Sequence, residues 1–239
     1  MNCAVAVSRR ADACAVAFAM VFPAVAAWVY FVLLADAPTA IQQAGYLVGK
    51  SVFVFPLVWV LAVQRRPLRL RLPGPAGLLE GLLFGLLVVA GMLLLYYLWL
   101  KPEGYFQLAA EEVRKKLVGF GLNGLWQFVA FGAFVALAHS FLEEYYWRWF
   151  VFGQLRPLTG LGAAIVLSAL AFMGHHVILL GVYFGWFSAP HILFSAGVAV
   201  GGAVWAWIYH RSGSLYGPWL SHLLVDAAIF VIGYDLVPL

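Results

Sequence analysis

An all-α fold, a polytopic membrane bundle of about seven transmembrane helices, is predicted by three observations on this sequence. Of its 239 residues 65% are hydrophobic and only 10% are charged, and the mean hydropathy is +0.95, well above what a water-facing globule carries. Seven apolar stretches approach or exceed the roughly 20 residues a helix needs to cross a bilayer. The basic residues gather mainly between those stretches, as membrane topology requires. Together these predict one transmembrane domain over residues 1–239 with no soluble domain attached.

Taken in order, the expected spans are Ala15 to Leu34, Ala44 to Val63, Leu78 to Leu100, Leu125 to Phe152, Leu161 to Phe184, His191 to Tyr209 and Tyr216 to Tyr234. Arg65, Arg66, Arg69 and Arg71 form the strongest basic cluster. Arg9, Arg10, Arg156 and Arg211 fall on the same side if the amino terminus is cytoplasmic, which puts the carboxyl terminus outside. The opposite side holds Lys101, Arg114, Lys115 and Lys116 in one longer loop, together with Glu103, Glu111 and Glu112. Within that loop Ala109 to Leu117 mixes charged and apolar residues at helical spacing, which predicts an interfacial helix; a solvated loop fits the spacing as well. Gly77, Gly81 and Gly85 in the third span, and Gly197 and Gly201 in the sixth, recur every four residues and predict close helix packing rather than chemistry. No tandem or inverted repeat is visible, which counts against a transporter built of two related halves.

The net charge of +4 is accounted for by topology, and nucleic-acid binding does not follow from it. Cys3 and Cys14 both lie near the amino terminus, which provides neither a disulfide framework nor a thiolate metal site; they are expected to pack. Ser8-Arg9-Arg10 before an apolar run, with Ala35-Asp36-Ala37 after it, has features of a secretion signal. The run is longer than a signal core, so it is assigned to the first span.

Ionisable side chains at membrane depth carry the functional argument, because each costs roughly 2.5 to 3.5 kcal/mol at a helix centre. Lys50 and Glu80 stand alone and could pair with one another or snorkel to an interface. The run Phe141-Leu142-Glu143-Glu144-Tyr145-Tyr146-Trp147-Arg148 is different, because it places three charges within two turns. Glu144 and Arg148 are four apart and can form an ion pair on one face, while Glu143 points about 100° away and is free to act as a base. His175 and His176 follow Phe172 on the fifth span, and His222 and Asp226 lie one turn apart on the seventh. At 1.5 Å of rise per residue, Glu143, His176 and His222 lie roughly 16, 22 and 14 Å from the cytoplasmic helix ends, compatible with one polar layer. His139, four residues before Glu143, can bond to that carboxylate; His139, His175 and His191 taken singly read more readily as satisfied core histidines.

Glu-Glu-x-x-x-Arg at Glu143, Glu144 and Arg148, Phe-x-x-x-His at Phe172 and His176, and His-x-x-x-Asp at His222 and Asp226 resemble the three motifs of the CPBP family. That family comprises type II CAAX prenyl endopeptidases and bacteriocin-processing or self-immunity relatives. The resemblance spans roughly Phe128 to Tyr234, including the turn Gly213-Ser214-Leu215-Tyr216-Gly217-Pro218, and predicts catalytic core helices over residues 125–236. It implies a glutamate-dependent intramembrane endopeptidase with no cofactor and no required metal. By that implication Glu143 is the general base, His176 holds and polarises the attacking water, and His222 stabilises the oxyanion with support from Asp226. Glu144 and Arg148 orient the site and balance its charge. Asp226 departs from the asparagine of the well-studied members, and an ionised aspartate opposes a developing negative charge. It is expected either to be protonated or to accept a bond from His222, the second being preferred.

The function so predicted is hydrolysis of a peptide bond near the carboxyl terminus or anchor segment of a membrane-associated protein. Histidine and glutamate also suit zinc, so spacing alone leaves a metalloprotease open. The residue usage points to a bacterial inner membrane. There a sorting or anchor segment, as in a myxosortase-like branch, competes with a lipid-linked or bacteriocin leader peptide as substrate. A non-hydrolytic scaffold or immunity protein, or a proton-coupled transporter using the same polar cluster as a relay, is the rival from another class.

Overall fold

The computed structural model describes residues 8–68, 71–122 and 124–237; the predicted placements of Cys3 and Arg69 lie outside them. Among the described residues every regular element is helical, and seven helices are long and apolar enough to cross a membrane. These are α1 (Arg9–Leu33), α2 (Thr39–Val63), α3 (Pro75–Leu100), α5 (Leu125–Thr159), α6 (Leu161–Phe184), α7 (Ala189–Ser212) and α8 (Tyr216–Leu236). Between α3 and α5 runs the shorter α4 (Gln107–Gly119). The chain is thus an all-helical integral membrane protein, with leucines and tryptophans such as Leu87, Leu98 and Trp126 turned outward, where lipid rather than water is the matching solvent.

Local chemistry explains the helix ends. Ser8 caps α1 by accepting from the amide of Ala11, and Ser188 caps α7 by accepting from that of His191, each satisfying an amide with no partner inside the helix. Gly213 closes α7 in the left-handed conformation, φ 66°, with its amide bonded back to Tyr209. α5 runs past its expected end at Phe152, through Gly153–Thr159, and stops at Gly160, where φ is 87°. Apolarity marks where lipid ends, but the backbone turns only where a residue permits it, so Arg156 belongs to the helix rather than to a loop.

The loop after α3 does form a helix. Ala109 and Leu117 are buried on it, as is Phe106 just before it, and Lys116 donates to Gln42 at 2.7 Å. Cys14, expected to pack, is exposed on the outer surface of α1 instead. A small thiol fits lipid as readily as a core, so sequence could not decide its face.

Two close helix contacts position the site. Gly81 of α3 meets the backbone of Gly217 at the start of α8, and Gly217 in turn meets the carbonyl of Gly77; a Cβ on Gly81 or Gly217 would collide with main chain. In α7 the close approach to α6 is made by Gly202, against Ala169 and Phe172, and not by Gly197, which has open space beside it. The four-residue spacing at Gly197 and Gly201 therefore did not mark the contact. Around α5 the largest buried side chains are Tyr146, Trp147, Arg148, Phe150 and Phe152, and the Tyr146 hydroxyl donates to the Ala19 carbonyl at 2.7 Å, tying α5 to α1.

Candidate active site

α5 changes its winding around its two glutamates. Ser140–Glu144 is α-helical, whereas Val135–His139 before it and Tyr145–Phe152 after it are π-helical. Wider turns of this kind interrupt α-helices frequently at functional sites, since each redirects the side chains that follow. Here the result is two adjacent carboxylates with separate surroundings.

Glu144 is fully buried and lies between two cationic or ionisable partners. Its Oε2 is 3.1 Å from Arg148 Nε, and its Oε1 is 2.8 Å from His222 Nδ1 on α8. The Arg148 guanidinium, also buried, lies over the Phe172 ring at 4.6 Å and the Trp205 ring at 5.0 Å, which offsets part of the cost of burying it. Trp205 stacks on His222 with ring centroids 4.3 Å apart and donates to the Ser221 hydroxyl at 2.8 Å. His222 is thereby held on one nitrogen and on one face.

Glu143 faces the histidines. Its Oε1 stands 3.4 Å from His139 Nε2 and 3.7 Å from His175 Nε2, and its Oε2 stands 3.7 Å from His222 Nε2. These separations are longer than direct hydrogen bonds. His176 lies alongside, its ring centroid 4.1 Å from that of His175, and its Nδ1 is 3.0 Å from the Phe172 carbonyl. A carbonyl can only accept, so Nδ1 carries the proton and Nε2 keeps a lone pair for the site. Glu143, His175 and His176 each offer an atom within 4.8 Å of the others, a spacing that also suits a metal ion.

The residues predicted from sequence therefore gather at one depth, from α5, α6 and α8. Asp226 is less closely joined than expected. Its Oδ1 is 3.7 Å from His222 Nε2, and the short bond of His222 goes to Glu144 instead. His191 stays apart, its Nδ1 accepting from the Phe187 amide and its Nε2 donating to the Val177 carbonyl. Lys50 and Glu80 do not pair: Glu80 meets Arg211 at 3.3 Å, and Lys50 Nζ lies 3.3 Å from His139 Nε2.

Three residues at the site were undervalued by sequence reasoning. His139 carried a signal in its four-residue spacing from Glu143. His175 was read as a satisfied core histidine, yet it and His176 both reach the site although adjacent side chains on a helix point about 100° apart, with His175 stacked flat on Trp147. Lys50 stood out as a charge at membrane depth, but nothing in the sequence tied it to His139, 89 residues away.

Searches of curated proteins and of solved structures returned no match. Residues 125–228, the stretch holding both glutamates, the four site histidines His139, His175, His176 and His222, and Asp226 on α5, α6 and α8, match the family model described as Type II CAAX prenyl endopeptidase Rce1-like, so over that stretch the chain is similar to this family.

Proposed function

We propose that the chain is a glutamate-dependent intramembrane endopeptidase in which Glu143 activates water, with residues 125–236 as its catalytic core. The matching family model is one of endopeptidases, which supports a peptidase as the reaction class. The observation that carries the finer reading is the pair of neighbouring carboxylates with divided roles. Glu144 is engaged by Arg148 and His222, while Glu143 makes no direct hydrogen bond among the described residues.

In this reading water sits between Glu143 and His176 and gives up a proton to the carboxylate as its oxygen attacks the scissile carbonyl. The lone pair at His176 Nε2 orients the second water hydrogen. His222, with Nδ1–H donated to Glu144, presents Nε2–H as imidazolium to the oxyanion, and Glu144 supplies the balancing charge. Glu143 then returns its proton to the departing amine. Arg148 locks Glu144. Asp226 supports the imidazolium, facing the same Nε2 edge as Glu143. The substrate is a peptide at the carboxyl-terminal or anchor end of a membrane-associated protein, in a bacterial inner membrane with the amino terminus of the enzyme cytoplasmic. The proposed test incubates detergent-solubilised protein with membrane-tethered peptides and reads cleavage by mass spectrometry. Glu143→Gln should abolish cleavage while the protein remains folded, and cleavage that survives the change rejects the assignment.

A second reading rests on the Glu143, His175 and His176 cluster, whose spacing fits a divalent ion. Chelation separates the two. Activity that persists after dialysis against a chelator supports water activated by the carboxylate, whereas a loss restored by zinc supports the metal.

A further inference from the structure

We infer that Lys50 is the anchor for an anionic end of the substrate, the free terminal carboxylate of the peptide being cleaved. The inference rests on the proteolytic reading and adds a recognition element from α2, outside the stretch shared with the family. Lys50 is half-buried and reaches the rim of the site, with its Nζ 3.3 Å from His139 Nε2, itself 3.4 Å from Glu143 Oε1. The rings of Tyr46 and Phe53 stand 5.4 and 5.5 Å from the ammonium and form apolar walls around it.

Its state of pairing is what distinguishes this cation. Among the described residues no carboxylate forms an ion pair with Lys50, whereas Arg148, Lys101 and Arg211 each have one. An ammonium carries three donors, and the contact with His139 uses one of them. Two remain for a ligand, and a carboxylate is the acceptor best matched to them in charge and strength. Thr39–Lys50 of α2 holds no buried residue and Lys50 is itself only half-buried, so the route proposed for the peptide runs along this half of the helix.

The geometry also limits what is cut off. Because both contacts share His139 Nε2, Lys50 Nζ is at most about 7 Å from Glu143 Oε1. Adding a contact distance of about 3 Å at each end leaves room for about four extended residues or fewer between the scissile carbonyl and the terminus. A terminal carboxylate held at Lys50 thus sets the cleavage site by distance from the end rather than by side chain.

The test uses full-length protein and a library of membrane-tethered peptides, prepared both with free carboxyl termini and with amidated ones. The unaltered protein should cleave the acids at least ten-fold more efficiently, releasing fragments of about four residues or fewer. Lys50→Met should erase that preference through a raised KM for the acids with little change for the amides, and Lys50→Arg should keep much of it. Equal cleavage of acids and amides by the unaltered protein, or an equal loss on both in Lys50→Met, overturns the inference and leaves the lysine a positioning residue for His139. Cleavage of neither library overturns the proteolytic reading itself, and with it this inference. Circular dichroism and a melting curve of Lys50→Met establish that the variant is folded, and Lys50→Gln replaces it if it is not.

Discussion

Nδ1 of His222 stands 2.8 Å from Oε1 of Glu144, while Nε2 of the same ring stands 3.7 Å from Oε2 of Glu143. One imidazole thereby touches the surroundings of both carboxylates with opposite edges. The edge bonded to Glu144 is tight and buried, and the edge toward Glu143 is loose enough to admit a reacting group. In the proposed function this asymmetry gives a structural role to one glutamate and a chemical role to the other, and mutation can test the two separately.

Glu144→Ala removes the partner of a buried arginine and of a buried imidazole at once. Breaking a buried pair in this way costs about 3–5 kcal/mol, because the remaining charge is left uncompensated. The variant should melt well below the unaltered protein in detergent. Glu143→Gln should leave the melting temperature nearly unchanged while abolishing cleavage, since its carboxylate makes no short bond. A Glu143→Gln protein as unstable as Glu144→Ala would show that both carboxylates hold the fold and would remove the division of roles.

Asp226 lies 3.7 Å from the Nε2 of His222 that also faces Glu143. An asparagine there keeps the shape and offers an amide donor to an oxyanion, whereas leucine offers nothing polar. Asp226→Asn is expected to retain substantial activity. Asp226→Leu should lose about 10²–10³ in kcat, the usual effect of removing support from an oxyanion. Steady-state kinetics on the three proteins decides this, and equal losses in both variants would exclude the supporting role.

Much of this arrangement was legible in the sequence because helices turn spacing into direction. Seven apolar runs gave the spans, and four-residue spacing gave the Glu144–Arg148 pair. Depth along each helix made Glu143, His176 and His222 compatible with one layer. What spacing could not give was the partner across helices. The bond from His222 to Glu144 in place of Asp226 depends on how α8 is rotated against α5, and the approach of Lys50 to His139 depends on a helix far away in the chain. The end of α5 was misjudged for a related reason, since Gly160 and not the change in hydropathy ends it.

The glycine contact between α3 and α8 is expected to control activity from outside the site. A methyl group on Gly81 must displace the main chain of Gly217, and α8 carries His222 only five residues further on. Gly81→Ala should therefore destabilise the protein by at least about 1–3 kcal/mol and reduce cleavage as His222 shifts. Gly91 on the same helix has open space beside it, and Gly91→Ala should be neutral or slightly stabilising. Melting curves of the two variants test the contact directly, and similar behaviour in both would mean that α3 and α8 are not held together here.

Trp205 joins three parts of the site from α7: its ring covers His222 and Arg148, and its Nε1–H is donated to the buried hydroxyl of Ser221. Trp205→Phe keeps an aromatic face over the imidazole but leaves that hydroxyl without its donor, a loss of about 1–3 kcal/mol in a buried position. Activity at moderate temperature should largely survive, because the ring that steadies His222 is still present. Removing the hydroxyl as well, in Trp205→Phe with Ser221→Ala, should recover much of the lost stability, since deleting both partners of a buried bond is far less costly than deleting one. Trp205→Leu should behave oppositely, with activity falling by more than its melting temperature implies as the imidazole loses its stacking surface. If the double variant is instead as unstable as the two single changes added together, Trp205 and Ser221 are not coupled, and the tryptophan acts on His222 through its ring alone.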